Sequence, residues 1–286
     1  MVVAPAAQPV TATQPARAGE QPRRAALITG ASSGIGAAFA DRLAHDGYDL
    51  ILVARRRERL EAIAEHLRRE EAVGVDVLVA DLTDRADLLL VERAAAETMS
   101  LEMLVNCAGV AGYMPFVTLP PDQAEAMIAL HVIAPTRLTR AALPRMIARG
   151  RGAVINVSSG LAFSASVPSP PLPQRAVYAA AKSYINTFTE ILASELQGTG
   201  VRVQALCPGI VRTELHEVAG YDVSHVPFML EPDDVVAASL AGLELGEIVC
   251  VPGLEDASRL ADLERSRGRI LDGARGGKIA KRYRTD

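Results

Sequence analysis

From Ala25 onward, seven short apolar runs (AALIT, DLILVA, VDVLVA, LEMLVN, GAVINVSS, VRVQALC and EIVCV) alternate with longer segments of helical period. Runs that are apolar at nearly every position, rather than at every second one, belong to strands covered on both faces. Strands separated by helices are joined by right-handed crossovers and so lie parallel. The alternation therefore predicts an α/β fold: a doubly wound, seven-stranded parallel sheet in a single domain. Helices are expected near 36–46, 56–71, 86–98, 122–148, 178–197 and 233–244. No repeat or internal linker interrupts the pattern.

That domain is assigned to residues 25–258, and the flanks read differently. Residues 1–24 mix Pro, Ala, Thr and Gln, with no basic start followed by an apolar block. They read as a disordered N-terminal tail rather than a secretory signal, with a degenerate transit peptide as the alternative because no acid precedes Glu20. Residues 259–286 carry nine Lys or Arg against four acids with repeated Gly. They read as a solvated, partly disordered basic tail in preference to a partner-binding arm.

The hydrophobic fraction of 49% is enough for a large core without disulfides. Cys107, Cys207 and Cys250 lie far apart in or beside apolar runs, the pattern of reduced thiols, and a cytoplasmic location is expected. A net charge of -4 gives no positive field for nucleic acid. No stretch reaches the roughly 18 uninterrupted apolar residues of a membrane span, so no membrane partner is expected.

The first apolar run passes directly into Thr29-Gly30-Ala31-Ser32-Ser33-Gly34-Ile35-Gly36, and a helical pattern follows at once. Glycines in such a turn let backbone approach a pyrophosphate, whose charge then meets the N–H groups and positive dipole of the helix start. A Gly-rich turn alone is weak; strand, loop and helix in this order make a Rossmann-type dinucleotide site the stronger reading.

The spacing TGxxxGxG resembles that of the short-chain dehydrogenase/reductase family, and further pieces match in order. These are Asp81-Leu82 after the third strand, Asn106-Cys107-Ala108-Gly109 after the fourth, and Ser158-Ser159 after the fifth. Tyr178-Ala-Ala-Ala-Lys182 and Pro208-Gly209-Ile210-Val211-Arg212-Thr213 follow. The resemblance covers roughly residues 25–250. It implies that Asp81 and Leu82 border the adenine, that Asn106, Ala108 and Gly109 support the cofactor floor, and that Pro208, Gly209, Ile210, Val211 and Thr213 meet the nicotinamide end. Part of the role of Asn106 and Gly109 is expected to be structural.

Where an NAD-preferring fold places an acid at the end of its second strand, this chain has Ala54, followed by Arg55-Arg56-Arg57. Cations at a helix start are disfavoured by ~0.3–1 kcal/mol each, so an anion is expected there. The 2'-phosphate of NADP fits, with Arg55 best placed; the alternative, a solvated basic face pairing with Glu58 and Glu61, accounts for Arg56 and Arg57 but explains Ala54 less well. The cofactor expected is NADP(H), which the resemblance also implies.

Tyr178 and Lys182 stand four residues apart on an expected helix and so share a face. A phenol of pKa ~10 needs lowering by ~3 units, about 4 kcal/mol, to transfer protons readily near neutrality. An ammonium ~4 Å away at an effective dielectric of ~20 supplies about that much. The resemblance implies that Tyr178 gives its proton to a substrate carbonyl oxygen as hydride arrives, that Lys182 also holds the nicotinamide ribose, and that Ser159 hydrogen-bonds the same oxygen. Ser158 is expected to be structural.

Two features depart from the family pattern. His131, in His131-Val-Ile-Ala-Pro135, stands where similar proteins carry an asparagine that marks a helix irregularity, and is the fourth candidate of the catalytic set. Its imidazole could titrate in the proton relay, touch the substrate, or simply pack. Secondly, the stretch from Ser159 to Tyr178 is longer than usual and holds Pro168, Pro170, Pro171 and Pro173. It is either a semi-rigid wall of the substrate mouth or an inert insertion. His45, His66, His216 and His225 show no metal-ligand spacing, and no metal is expected. Residues 214–230 are expected to cover the substrate.

The expected function is an NADPH-dependent oxidoreductase acting on a small-molecule carbonyl or secondary alcohol, in the direction of ketone reduction. The alternative of a different class is an NADP-binding sensor or scaffold with little turnover. A nucleotide-sugar epimerase ranks lower, since it would need more chain for the sugar. By resemblance a homodimer or homotetramer is expected, through helices near 122–148 and 178–197.

Overall fold

The computed structural model describes residues 23–170, 172–223 and 226–284. The expected tail over 1–24 therefore lies almost wholly outside the described residues, as does His225. Strands β1 (Ala25–Thr29), β2 (Asp49–Ala54), β3 (Val75–Val79), β4 (Leu101–Asn106), β5 (Gly152–Val157), β6 (Val201–Leu206) and β7 (Val249–Cys250) form one sheet. All are parallel, in the order β3-β2-β1-β4-β5-β6-β7. The doubly wound sheet is as the sequence predicts.

The helices are α1 (Gly34–His45), α2 (Arg57–Glu70), α3 (Arg85–Glu97), α4 (Pro121–Ile128), α5 (Ala134–Arg149), α6 (Ala176–Glu195), α7 (Leu215–Val218), α8 (Pro232–Leu245) and α9 (Ser258–Ala274). Neighbouring strand residues point to opposite faces. Ala26, Ile28, Leu50 and Leu52 accordingly join a core with Phe39 and Leu43 of α1, Leu60 and Leu67 of α2, and Val235 of α8. Leu27, Ile51 and Val53 join a second core with Val91 of α3, Leu138 of α5 and Leu192 of α6. Continuous apolar runs feed both layers. Each fully buried Leu or Ile contributes about 1.5–3 kcal/mol.

Two expectations change. The single helix over 122–148 is instead α4, a π-helical turn at Ala129–Ile133, and α5. Pro135 has no N–H to give to the carbonyl four residues earlier, that of His131, so the ladder opens there. The chain from Gly253 forms a unit of its own, and the irregular tail expected from 259 begins as α9. Local pairs such as Arg259–Asp256 (3.2 Å) and Arg265–Asp262 (2.5 Å) support that helix, whose residues are otherwise solvent-facing.

Strand order reverses between β1 and β4, so a crevice opens at the carboxyl ends of these strands, where doubly wound sheets bind ligands. No described helix is long and apolar enough to cross a membrane. Cys107, Cys207 and Cys250 are free thiols. Burial pushes Cys107 and Cys207 up to about 12 and Cys250 to about 11, which keeps them unreactive.

Candidate active site

The Gly-rich turn closes against the loop after β4. Thr29 Oγ1 accepts from the N–H groups of Cys107 and Ala108, both at 3.0 Å. Gly30 has φ +70°, and a Cβ there would lie 2.8 Å from Ala108 Cα, so only glycine fits. Asn106 Nδ2 donates to Asn156 Oδ1 at 2.8 Å and Thr139 Oγ1 at 3.2 Å, the structural half of its expected role. From the segment after β6, Thr213 Cγ2 reaches within 2.9 Å of where a Gly34 Cβ would stand. Pro208 O accepts from Gly160 N at 2.8 Å, while Ile210 O and Arg212 N pair with Leu230 at 2.9 Å, bracketing Val211. The turn Gly30–Gly36, the loop Asn106–Gly109 and the segment Pro208–Thr213 thus meet around one crevice.

That crevice suits a dinucleotide phosphate. Ser33, the N-cap of α1, makes no side-chain capping bond, and the first turn, which includes Ile35, holds no acid. The uncapped N–H groups and helix dipole are left to attract an anion. Arg56 Nη2 donates to Ser32 Oγ at 2.9 Å and Ser33 Oγ at 2.6 Å, so a guanidinium already leans over the turn. Its Nη1 bonds Glu214 at 2.8 Å, which Arg59 also meets. The alternative of a solvated face pairing with Glu58 and Glu61 does not hold for Arg56, which is the N-cap of α2 and whose side chain turns back toward the loop. Arg57 does lie 3.8 Å from Glu61. Arg55 stands 3.6 Å from Asp81, and Leu82 is buried beside it.

Ser159, Tyr178 and Lys182 are brought together and nearly enclosed, at 9%, 5% and 5% exposure. Ser159 stands close enough to Tyr178 to favour the ionised phenol. Lys182 Nζ lies 5.7 Å from the Tyr178 ring centroid and donates to Val157 O at 2.8 Å. Ser158 Oγ donates to Lys182 O at 3.0 Å, the structural role expected of it. The expected lowering of the Tyr178 pKa is not found. Burial pushes the phenol up to about 12 against the lowering effect of Ser159, and burial pulls Lys182 down to about 8. Desolvation outweighs the charge because the ammonium faces a carbonyl, not the phenol oxygen.

His131 sits in the π turn, with its ring edge-on to Tyr178 at 5.4 Å. Its Nε2 bonds Val110 O at 2.8 Å, while its buried Nδ1 has no partner. Burial, together with the Lys182 charge, pulls its pKa down to about 3, so the imidazole is neutral. It lines, with Asn106, Asn156 and Lys182, a cavity of about 10 Å³, the space of a single water. Gly109 passes close above: a Cβ there would stand 2.9 Å from His131 Cε1.

The sequence reading missed an aromatic group over this centre. Tyr113 packs edge-on to Tyr178 at 5.6 Å and to Tyr221 at 5.3 Å, and stacks on His216 at 6.4 Å. His216 had been given no role. The signal was available in a chain with only six Tyr and five Phe: Tyr113 and Tyr221 stand in the loops after β4 and β6, which flank the crevice.

A family model described as short chain dehydrogenase matches residues 24–222. A short chain dehydrogenase of Pseudocercospora fijiensis is 38% identical over 69% of this chain, which spans 62% of that relative's length. A human relative described as an inactive hydroxysteroid dehydrogenase-like protein is 32% identical over 67% of this chain and 57% of its own length. Among solved structures, a short-chain dehydrogenase from Sphingobium yanoikuyae in complex with NADPH is 39% identical, with a TM-score of 0.86 over 91% of this chain and 100% of that one. A bulky-bulky ketone specific alcohol dehydrogenase from Comamonas testosteroni is 33% identical, with a TM-score of 0.82 over 92% of this chain and 99% of that one. With the family model covering most of its length, the chain belongs to the short-chain dehydrogenase family of oxidoreductases.

Proposed function

We propose that this chain is an NADPH-dependent reductase of ketones that carry a large apolar substituent. The observation that carries the reading is the enclosed Ser159–Tyr178–Lys182 group beside a Gly-rich cradle over which Arg56 leans. The turn Gly30–Gly36, Asp81 with Leu82, Asn106–Gly109 and Pro208–Thr213 would hold the dinucleotide, with Arg55 and Arg56 on its 2'-phosphate. Bound there, the cofactor supplies the hydride.

The protein's own part is proton transfer and polarisation. Tyr178, pushed up to about 12, keeps its proton at neutral pH and can give it to a carbonyl oxygen that is becoming an alkoxide. Ser159 donates to the same oxygen as charge develops. Lys182, still an ammonium below about 8, favours that charge through the field it sets beside the pair. Tyr113 packs against Tyr178 and carries His216 and Tyr221 behind it, an aromatic wall on which a substituent of the carbonyl carbon would pack. The NADPH complex and the ketone-specific relative support the reading.

Self-association is part of the proposal: Tyr184 and Ile191 leave an apolar stripe on α6, at 39% and 58% exposure. The free thiols fit a cytoplasmic setting. The sensor or scaffold reading is favoured by the relative described as inactive and by His131. NADPH oxidation measured against a panel of ketones separates the two, with NADH run in parallel. The reductase consumes NADPH, and Tyr178→Phe loses about 10²–10⁴-fold in turnover while still binding the cofactor. NADPH binding with no ketone turned over would support the sensor.

A further inference from the structure

The Pro-rich stretch between Ser159 and Tyr178 contains a cation with no carboxylate partner among the described residues. Arg175 is 9% exposed and directly precedes α6, one turn before Tyr178. A guanidinium has five N–H donors, and here all five are used. Nε donates to Ser164 Oγ at 2.8 Å. Nη1 donates to Ser169 Oγ at 2.9 Å and Pro173 O at 2.8 Å. Nη2 donates to Ser164 O and Val167 O, both at 2.8 Å.

The acceptors explain the prolines. Pro168, Pro170 and Pro173 have no N–H, so the loop has few ties of its own, Val167 N to Ser164 O at 3.1 Å and Ser169 Oγ to Pro173 O at 3.0 Å among them, and its carbonyls take further donors from elsewhere. Arg175 provides them from one side chain. The far end of the loop is tied as well. Ser159 Oγ caps the short 3₁₀ turn Gly160–Phe163 by accepting from Leu161 N at 3.1 Å, and Ser164 closes that turn by donating to Leu161 O at 2.6 Å. Ser183 of α6 donates to Ala162 O at 2.8 Å. Arg175 therefore closes a ring whose two ends are Ser159 and Tyr178.

We propose that Arg175 is a positioning residue for the reacting pair: by clamping Ser164, Val167, Ser169 and Pro173 to the start of α6, it holds the Ser159 and Tyr178 hydroxyls in one geometry toward the carbonyl oxygen. The inference rests on the ketone reductase reading of that pair. It makes the insertion a fixed wall of the site. Lysine cannot replace the arginine, since three donors in a tetrahedral head do not match five acceptors around a planar fork.

The test compares the parent with Arg175→Met, Arg175→Lys, Ser169→Ala and Tyr178→Phe, reading kcat, KM, NADPH affinity and the solvent deuterium isotope effect on ketone reduction. Both arginine variants should lose about 100-fold in kcat, the scale of a misplaced reacting group, with NADPH affinity kept. Their isotope effect should rise, because proton transfer from a displaced Tyr178 becomes slower than the other steps. Ser169→Ala, at an exposed position, should show the same rise on a smaller scale.

Arginine variants with the parent's kcat, or with kcat lowered only in step with the fraction that binds NADPH and an unchanged isotope effect, would overturn the clamp. If the arginine variants do not fold, Ser169→Ala decides alone: a raised isotope effect supports the clamp and the parent's value overturns it. A parent that reduces no ketone, or a fully active Tyr178→Phe, would overturn the reading of the pair. An inactive Tyr178→Phe beside parent-like Arg175 variants would overturn the clamp only.

Discussion

Lys182 Nζ stands 5.7 Å from the centre of the Tyr178 ring and gives its hydrogen bond to Val157 O at 2.8 Å. The two groups share a helical face, yet the cation is aimed past the phenol at the end of β5. Burial then governs both, raising Tyr178 to about 12 and lowering Lys182 to about 8. At neutral pH each holds its proton, which suits a site that must deliver one.

The pH profile follows from that pairing. kcat/KM reports ionisations of the free enzyme. Lys182 is charged below about 8 and loses its charge as pH rises through that value, so kcat/KM for ketone reduction should fall on the alkaline side with a limb near 8. No acid limb should come from His131, whose pKa is about 3. Lys182→Arg stays charged and should move the limb upward in whatever activity remains. A limb that stays in place in that variant would belong to another group.

The cofactor preference should divide the three arginines. Arg56 leans on Ser32 and Ser33, and Arg55 stands 3.6 Å from Asp81, so both flank the carboxyl end of β2. Removing either by alanine substitution should lower the NADPH-over-NADH ratio of kcat/KM by ~10- to 100-fold, the loss of a charge-assisted contact of ~1.5–3 kcal/mol. Arg57, which pairs with Glu61 at 3.8 Å, should leave the ratio unchanged when replaced. Equal weakening of both cofactors in the Arg55 and Arg56 variants would place the phosphate elsewhere.

Two glycines test how tightly the crevice is built. Gly30 and Gly47 both have positive φ, +70° and +82°, but a Cβ on Gly30 meets the Ala108 backbone at 2.8 Å whereas one on Gly47 meets nothing within 4 Å. Gly47→Ala should cost about 1–2 kcal/mol of backbone strain. Gly30→Ala must also push β1 from the loop after β4 and should lose more stability, together with NADPH binding. Equal shifts in Tm for the two would show that the close approach is unimportant.

The sheet was legible because strands covered on both faces must be apolar throughout, as Leu27 and Ile28 are, whatever surrounds them. The Gly-rich turn and the Tyr178–Lys182 pair were legible because close approach and helical period are local constraints. Arg56 was not, since its direction depends on Ser32, Ser33 and Glu214, the last of them 158 residues away. The Tyr113–His216–Tyr221 wall was hidden for the same reason: its rings come from loops after different strands. The break at Ala129–Ile133, where the family resemblance already marked an irregularity at His131, turns on one missing N–H at Pro135, and α9 on charge pairs that composition alone reads as a solvated tail.

His131 supplies the last prediction. Its imidazole is 2% exposed, is bonded through Nε2 to Val110 O, and has a pKa pulled from 6.5 to about 3 by burial and the Lys182 charge. A group neutral in the fold but protonated in the unfolded chain gives stability that is fully present above pH 6.5 and is lost as pH falls from there toward 3. At pH 5 the unfolded chain gains about 1.5 pH units' worth of protonation, or about 2 kcal/mol, which for a chain of this size lowers Tm by about 4–8 °C. His216, whose pKa burial also lowers, contributes to parent and variant alike and cancels. His131→Asn should therefore lose less Tm than the parent between pH 7 and pH 5. It should also keep turnover within ~10-fold, a barrier change below about 1.4 kcal/mol, because a neutral imidazole moves no proton and the π turn is set by Pro135. Paired melting curves at the two pH values and a single kcat measurement check both halves. Parallel pH dependence in the two proteins would mean the imidazole is protonated in the fold, and collapse of turnover with NADPH still bound would make His131 part of the chemistry.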